Sequence, residues 1–233
     1  MNTTFMIIFI ALCVLATTLF IFMRIGHVGL HGFWTKLVAS LVFVVGAVVA
    51  LMLKKEPSKY MYFIVLGLMF GLVGDMLLEL KLVYRPHDRQ YTNGGILSFS
   101  IGHVGYVVAL TMFAIANDKS ILVPVFVSLA IGSVMASIIM VNSPNLGVDF
   151  GVHKGPAFAY SFILCISFVY SVALAILIPG LWVMSIGLLF FLVSDLVLSL
   201  IYWGGRNTNV MNIINLSTYY VAQILIMTSL FLA

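Results

Sequence analysis

GLMFGLVGDMLLEL, residues 67–80, and GLLFFLVSDLVLSL, residues 187–200, decide how this chain folds. Each is a run of apolar side chains interrupted near its middle by one aspartate, Asp75 or Asp195. Crossing about 30 Å of hydrocarbon takes roughly 20 such residues in a helix. Backbone groups placed in lipid must be hydrogen-bonded within their own segment, so an apolar run of this length is a transmembrane helix. The two stretches align without gaps at an offset of 120 residues and agree at 8 of 14 positions. Shared Leu and Val are cheap in so apolar a sequence. Gly67 with Gly187, Phe70 with Phe190 and Asp75 with Asp195, all in register, are not.

Six further apolar runs surround these two, giving spans near 5–23, 35–53, 61–80, 95–116, 121–141, 156–178, 181–201 and 212–232. The breaks carry turn residues and charge, as in Lys54-Lys55-Glu56-Pro57, Arg85-Pro86-His87-Asp88-Arg89, Asn142-Ser143-Pro144 and Gly204-Gly205-Arg206. The same offset lays span 1 on 5, span 2 on 6 and span 4 on 8. The fold expected is all-α: a polytopic membrane protein of eight helices in two parallel four-helix repeats, with halves 1–118 and 119–233 forming one transmembrane domain. Composition agrees. Of 233 residues 63% are hydrophobic and 8% charged, against about 25% charged in soluble domains, and the mean hydropathy is +1.21.

The net charge of +4 comes from scattered residues expected at span ends and does not indicate nucleic-acid binding, so no nucleic-acid partner is expected. Loops 1–2, 3–4, 5–6 and 7–8 carry seven Lys and Arg and the opposite side four, which leans toward the former facing the cytoplasm. The first run lacks the basic opening and cleavage site of a secretory signal and reads as a span. Cys13 and Cys165 lie inside apolar runs and read as buried hydrophobes.

Asp75 and Asp195 are the acids that lie well inside spans, where an ionised carboxylate costs roughly 2.5–3.5 kcal/mol even on insertion scales. A hydrogen-bonded staple between helices is the bland explanation. Equal depth on equivalent helices favours a working pair facing each other. Two carboxylates in one apolar cavity do not both ionise easily, so such a pair offers a general acid and a general base. Glu79 has Ser199 at the equivalent position and is expected in a solvated or interfacial setting near its helix end. His103 lies 28 residues after Asp75 and Gln223 lies 28 after Asp195, placing a His and a Gln at matching sites next to the acids. Tyr106 follows His103 on the same face, and Tyr160, Tyr219 and Tyr220 add hydroxyls from other spans. His27 and His31 have a metal-ligand spacing on a helix, but Gly26, Gly29 and Gly32 around them read as a loop. His87 and His153 also fall in loops, so no metal site is expected.

Five short motifs follow one another in this chain. They are Gly74-Asp75-Met76-Leu77-Leu78, Gly102-His103-Val104-Gly105-Tyr106, Pro156-Ala157-Phe158-Ala159-Tyr160, Ser194-Asp195-Leu196-Val197-Leu198 and Thr218-Tyr219-Tyr220-Val221-Ala222-Gln223-Ile224-Leu225-Ile226. In this order, over residues 60 to 232, the chain resembles the YhhN-type lysoplasmalogenases, eight-span membrane lipid hydrolases. The resemblance implies hydrolysis of the vinyl-ether bond of a lysoplasmalogen to a fatty aldehyde and a glycerophospho-base; with one histidine inside a span and no thiolate cluster beside the acids, no cofactor is expected. It implies Asp75 and Asp195 as acid and base, in an order the motifs leave open. His103, Tyr106, Tyr160, Tyr219, Tyr220 and Gln223 would hold the substrate and the water, and Arg85 or Arg89 the phosphate. The partners would be the lysophospholipid and membrane lipid, in the endoplasmic reticulum if the chain is eukaryotic and the inner membrane if bacterial. An acid pair in parallel repeats also suits a proton- or cation-coupled transporter, although no proline breaks either acid-bearing helix. A non-enzymatic lipid-binding scaffold would leave both acids without a purpose.

Overall fold

Lipid-facing side chains are the first feature of the computed structural model, which describes residues 2–26 and 30–232. Leu15, Phe22, Phe126, Val141 and Ile176 each expose 68% or more of their surface. Apolar surface left bare on this scale belongs against hydrocarbon. The helices are α1 (Asn2–Gly26), α2 (Leu30–Met52), α3 (Lys59–Val83), α4 (Asp88–Ala116), α5 (Leu122–Asn142), α6 (Lys154–Leu177), α7 (Trp182–Tyr202) and α8 (Asn209–Leu232). All eight are long and apolar enough to cross a membrane, and the described residues contain no strand. The protein is an all-α, multi-pass membrane protein.

The expected spans are recovered, but α3 and α4 outrun them. The stretch from Lys81 to Gly94 reads in the sequence as a charged loop, yet only residues 84–87 separate the two helices. Hydropathy marks where lipid ends and does not mark where a helix ends. Beyond the lipid, Thr92 Oγ1 donates to Asp88 Oδ1 (2.9 Å), Lys81 Nζ lies 3.4 Å from the same oxygen, and the helices continue. His31 and Gly32 likewise sit in the first turns of α2 and not in a loop, while His27 lies outside the described residues. His87 and His153 fall in short 3₁₀ turns.

Small residues bring the helices together, as expected where lipid supplies no hydrophobic drive between them. A Cβ on Gly67 of α3 would stand 2.3 Å from the ring of Tyr106 on α4, and one on Gly102 would stand 3.0 Å from the Gly67 carbonyl oxygen. The counterparts at the 120-residue offset also meet: a Cβ on Gly187 would lie 3.0 Å from Ile226 and 3.2 Å from the Ala222 carbonyl oxygen. Adjacent helices pack pairwise in both halves, and α2 rests on α8 as α6 rests on α4. The contact of α1 with α8 has no comparably extensive counterpart between α5 and α4. α1 and α5 are the least buried helices and lie at the periphery.

Candidate active site

Asp75 sits two thirds of the way along α3 and is 2% exposed. Its Oδ2 accepts hydrogen bonds from Ser40 Oγ on α2 (2.6 Å) and from Tyr219 OH on α8 (2.8 Å). Its Oδ1 lies 3.3 Å from Lys36 Nζ, one turn before Ser40 on α2. Behind these partners, Gln223 Nε2 donates to Tyr219 OH (2.8 Å), and the Tyr220 hydroxyl lies 3.2 Å from Ser40 Oγ. Three helices thus converge on one carboxylate. Buried charge is tolerated only when it is paired and hydrogen-bonded, and here both oxygens are engaged.

Asp195 is arranged differently. On α7 it is partly exposed to the interior space, and its Oδ2 accepts a hydrogen bond from Tyr160 OH on α6. Among the described residues no cation lies within ion-pair distance of it. The two hydroxyl–carboxylate contacts follow the 120-residue offset, since Ser40 precedes Asp75 by 35 residues and Tyr160 precedes Asp195 by 35.

Both aspartates line one polar cavity of about 550 Å³, together with Arg24, Lys36, Glu79, Asn215 and Tyr219. Asp195 also lines a second, apolar cavity of about 720 Å³ walled by Leu78, Ile96, Phe99, Leu164 and Leu192. Phe150 and Trp203 form the end of that cavity beside the loops, where the Asp149 amide donates to the Trp203 carbonyl (3.1 Å) and His153 pairs with Asn93 (2.9 Å). Leu78, Phe99, Leu198 and Tyr202 are common to both cavities, which therefore adjoin at Asp195. The Asn212 and Asn215 end of α8, the Glu79 end of α3 and the Tyr202 end of α7 put the polar cavity on the side of loops 1–2, 3–4 and 7–8.

Several expected site residues take other places. Glu79 is not solvated: it is 2% exposed, paired with Arg24 of α1 and 3.9 Å from Lys36 Nζ. The reason is that α3 runs another turn past it, to Val83, and the cations of α1 and α2 turn inward. Lys36, read in the sequence as a span-end cation, is only 7% exposed. Arg85 and Arg89 are exposed and line neither cavity.

His103 makes no hydrogen bond to an acid. Its Nδ1 lies 3.0 Å from Ser167 Oγ of α6, and its ring meets Phe191 edge-on at 4.6 Å. Phe191 occupies the position of Gly71 in the other half, where the missing side chain leaves room for Gln223 Nε2, 3.1 Å from a Cβ built there. One glycine-to-phenylalanine difference thus gives Gln223 access to the Asp75 network and covers His103 instead. His103 Nε2 and Gln223 Oε1 are both buried without a hydrogen-bond partner among the described residues. Tyr106 is buried against Gly67 and His103, and, like His103, Tyr220 and Gln223, it borders neither cavity. Arg24, Lys36 and Ser40 escaped the sequence reading. Ser40 alone left a signal there, since the offset maps it onto Tyr160.

Eight spanning helices closed around a carboxylate pair, with a polar cavity on one side and an apolar one on the other, define a multi-pass membrane protein with an intramembrane polar site. The chain matches the YhhN family over residues 31–230 and belongs to that family, which is associated with lysoplasmalogenase-type hydrolase activity. No curated protein and no solved structure matches it.

Proposed function

We propose that the protein hydrolyses the vinyl-ether bond of lysoplasmalogens, with Asp195 as the proton donor and Asp75 as a fixed anion. The observation that carries this reading is the position of Asp195, where an apolar cavity meets a polar one holding charged side chains. A single-chain ether lipid laid across that junction puts its hydrocarbon on one side, its headgroup on the other and its vinyl ether beside the carboxyl group. Asp195 protonates the carbon β to the ether oxygen, leaving an oxocarbenium ion on the adjacent carbon. Asp75, paired with Lys36, faces that cation in a low-dielectric setting, where a fixed charge acts strongly. Water adds to the cation and gives its proton to the Asp195 carboxylate, and the hemiacetal takes that proton back on the glycerol oxygen as it collapses. As the C–O bond breaks the hemiacetal hydroxyl gives its proton to Asp195, so the products are a fatty aldehyde and a glycerophospho-base and Asp195 ends protonated for the next turnover.

Tyr160 has a defined part in this scheme. By donating to Asp195 Oδ2, it stabilises the charge that appears as the proton leaves. Tyr160→Phe should therefore lower kcat about tenfold or more, the effect of one hydrogen bond to a developing charge, and leave KM nearly unchanged. Steady-state aldehyde release by the purified variant measures both constants.

Purified protein given alkenyl-glycerophosphoethanolamine should release fatty aldehyde and glycerophosphoethanolamine in equal amounts, detected by mass spectrometry. A strong chelator should leave the rate unchanged, because no group of three His, Cys, Asp or Glu among the described residues is placed to hold a metal ion. Activity lost to the chelator and restored by zinc would overturn the carboxylate mechanism. Folded protein that binds the lipid and releases no aldehyde would point to a carrier using the same acids.

A further inference from the structure

Arg24, Lys36, Asp75 and Glu79 form a chain of ion pairs along the polar cavity, two cations alternating with two anions. Lys36 is held between both carboxylates. Arg24 is not: one of its terminal nitrogens contacts Glu79, and the rest of its N–H groups have no protein partner among the described residues. Its side chain is 16% exposed and that of Glu79 3%, so the pair lies at the wall of the cavity and out of bulk water. Gly32 makes room for it, since a Cβ there would stand 3.0 Å from Glu79 Oε1 and 3.3 Å from Arg24 Nη1. The mechanism above uses neither residue, and Arg24 belongs to α1, which the family match over residues 31–230 does not include.

We propose that the Arg24–Glu79 pair reads the substrate's headgroup as a dipole, Arg24 taking the phosphate and Glu79 the amine. This rests on the hydrolase reading for its substrate class. A guanidinium presents several N–H groups in a fork that matches phosphate oxygens, so Arg24 binds a phosphodiester without leaving Glu79. Charge balance decides what else the headgroup must carry. The network is already neutral, two positive and two negative, so a lone phosphate adds an uncompensated buried charge, which is costly. A zwitterionic headgroup adds none, and its ammonium has Glu79 as an adjacent anion. The two dipoles lie antiparallel, each charge beside its opposite. The site is therefore selective for amine-bearing phosphodiesters over phosphodiesters without an amine.

Binding without turnover tests this. A saturated alkyl-ether lysolipid has no vinyl bond to protonate, so its affinity is independent of whether the protein hydrolyses anything. Two such lipids are titrated into purified protein, one with a phosphoethanolamine headgroup and one with phosphoethanol, which lacks the amine. Wild type should prefer the amine-bearing lipid about tenfold, the scale of one shielded charge contact. Glu79→Gln should abolish the preference, and Arg24→Gln should weaken both lipids by a similar factor. The double variant R24Q/E79Q keeps a neutral amide pair and should bind both lipids weakly and alike, even if the single Arg24 variant does not fold. Equal wild-type affinity for the two lipids, an intact preference in E79Q, or wild-type binding by the double variant would each overturn the proposal.

Discussion

Asp195→Asn should lower turnover by about 10²-fold or more, the loss expected when a general acid is removed, with no change in melting temperature. The amide keeps an oxygen for Tyr160 to donate to, and no cation is left without its partner, because none pairs with Asp195 among the described residues. Asp75→Asn should lose activity on a similar scale for a different reason. It removes the anion facing the oxocarbenium ion and leaves Lys36 with only Glu79, at 3.9 Å. This variant should therefore also melt at a lower temperature. The double variant should be scarcely slower than the worse single one, since groups acting as a unit are not additive. Aldehyde release and thermal melting on the same preparations check both statements. Folded Asn variants that remain fully active would exclude this chemistry and leave the aspartates as staples between helices.

The largest expected effect on stability belongs to Lys36→Met. The substitution keeps the length of the stem and removes the cation between two buried carboxylates. Stripping one partner from a buried ion pair costs on the order of 3–5 kcal/mol, and here Asp75 loses its one cation among the described residues while Glu79 keeps Arg24. K36M should melt far below wild type and should show little activity per folded molecule, because the Asp75 carboxylate loses the cation that pairs with its Oδ1. Adding Asp75→Asn to K36M removes the carboxylate left without a cation, since Glu79 keeps Arg24, and should recover part of the melting temperature without restoring turnover. A K36M protein as stable as wild type would show that the cation network contributes little to the fold. Melting curves in one detergent, with lipid content held constant, give the comparison.

Hydropathy alone located eight helices, because the cost of a bare peptide group in lipid leaves an apolar run no other structure. The acids were legible for a related reason: a carboxylate at that depth is too costly to keep without a use, and the 120-residue offset tied Asp75 to Asp195. The sequence did not reveal what each acid touches. Arg24 and Lys36 read as span-end cations, and a lysine near a helix end is as well explained by reaching outward to headgroups as by turning inward. Their direction depends on which helix stands opposite, and α3 places Asp75 and Glu79 there. Periodicity says which residues share a face of one helix and nothing about the face across from it. For the same reason His103 could be placed at the depth of Asp75 but not turned toward it. The residue that covers it, Phe191, stands 120 positions after Gly71, and whether a ring or a bare glycine occupies that place decides whether His103 is covered or Gln223 reaches the acid's network.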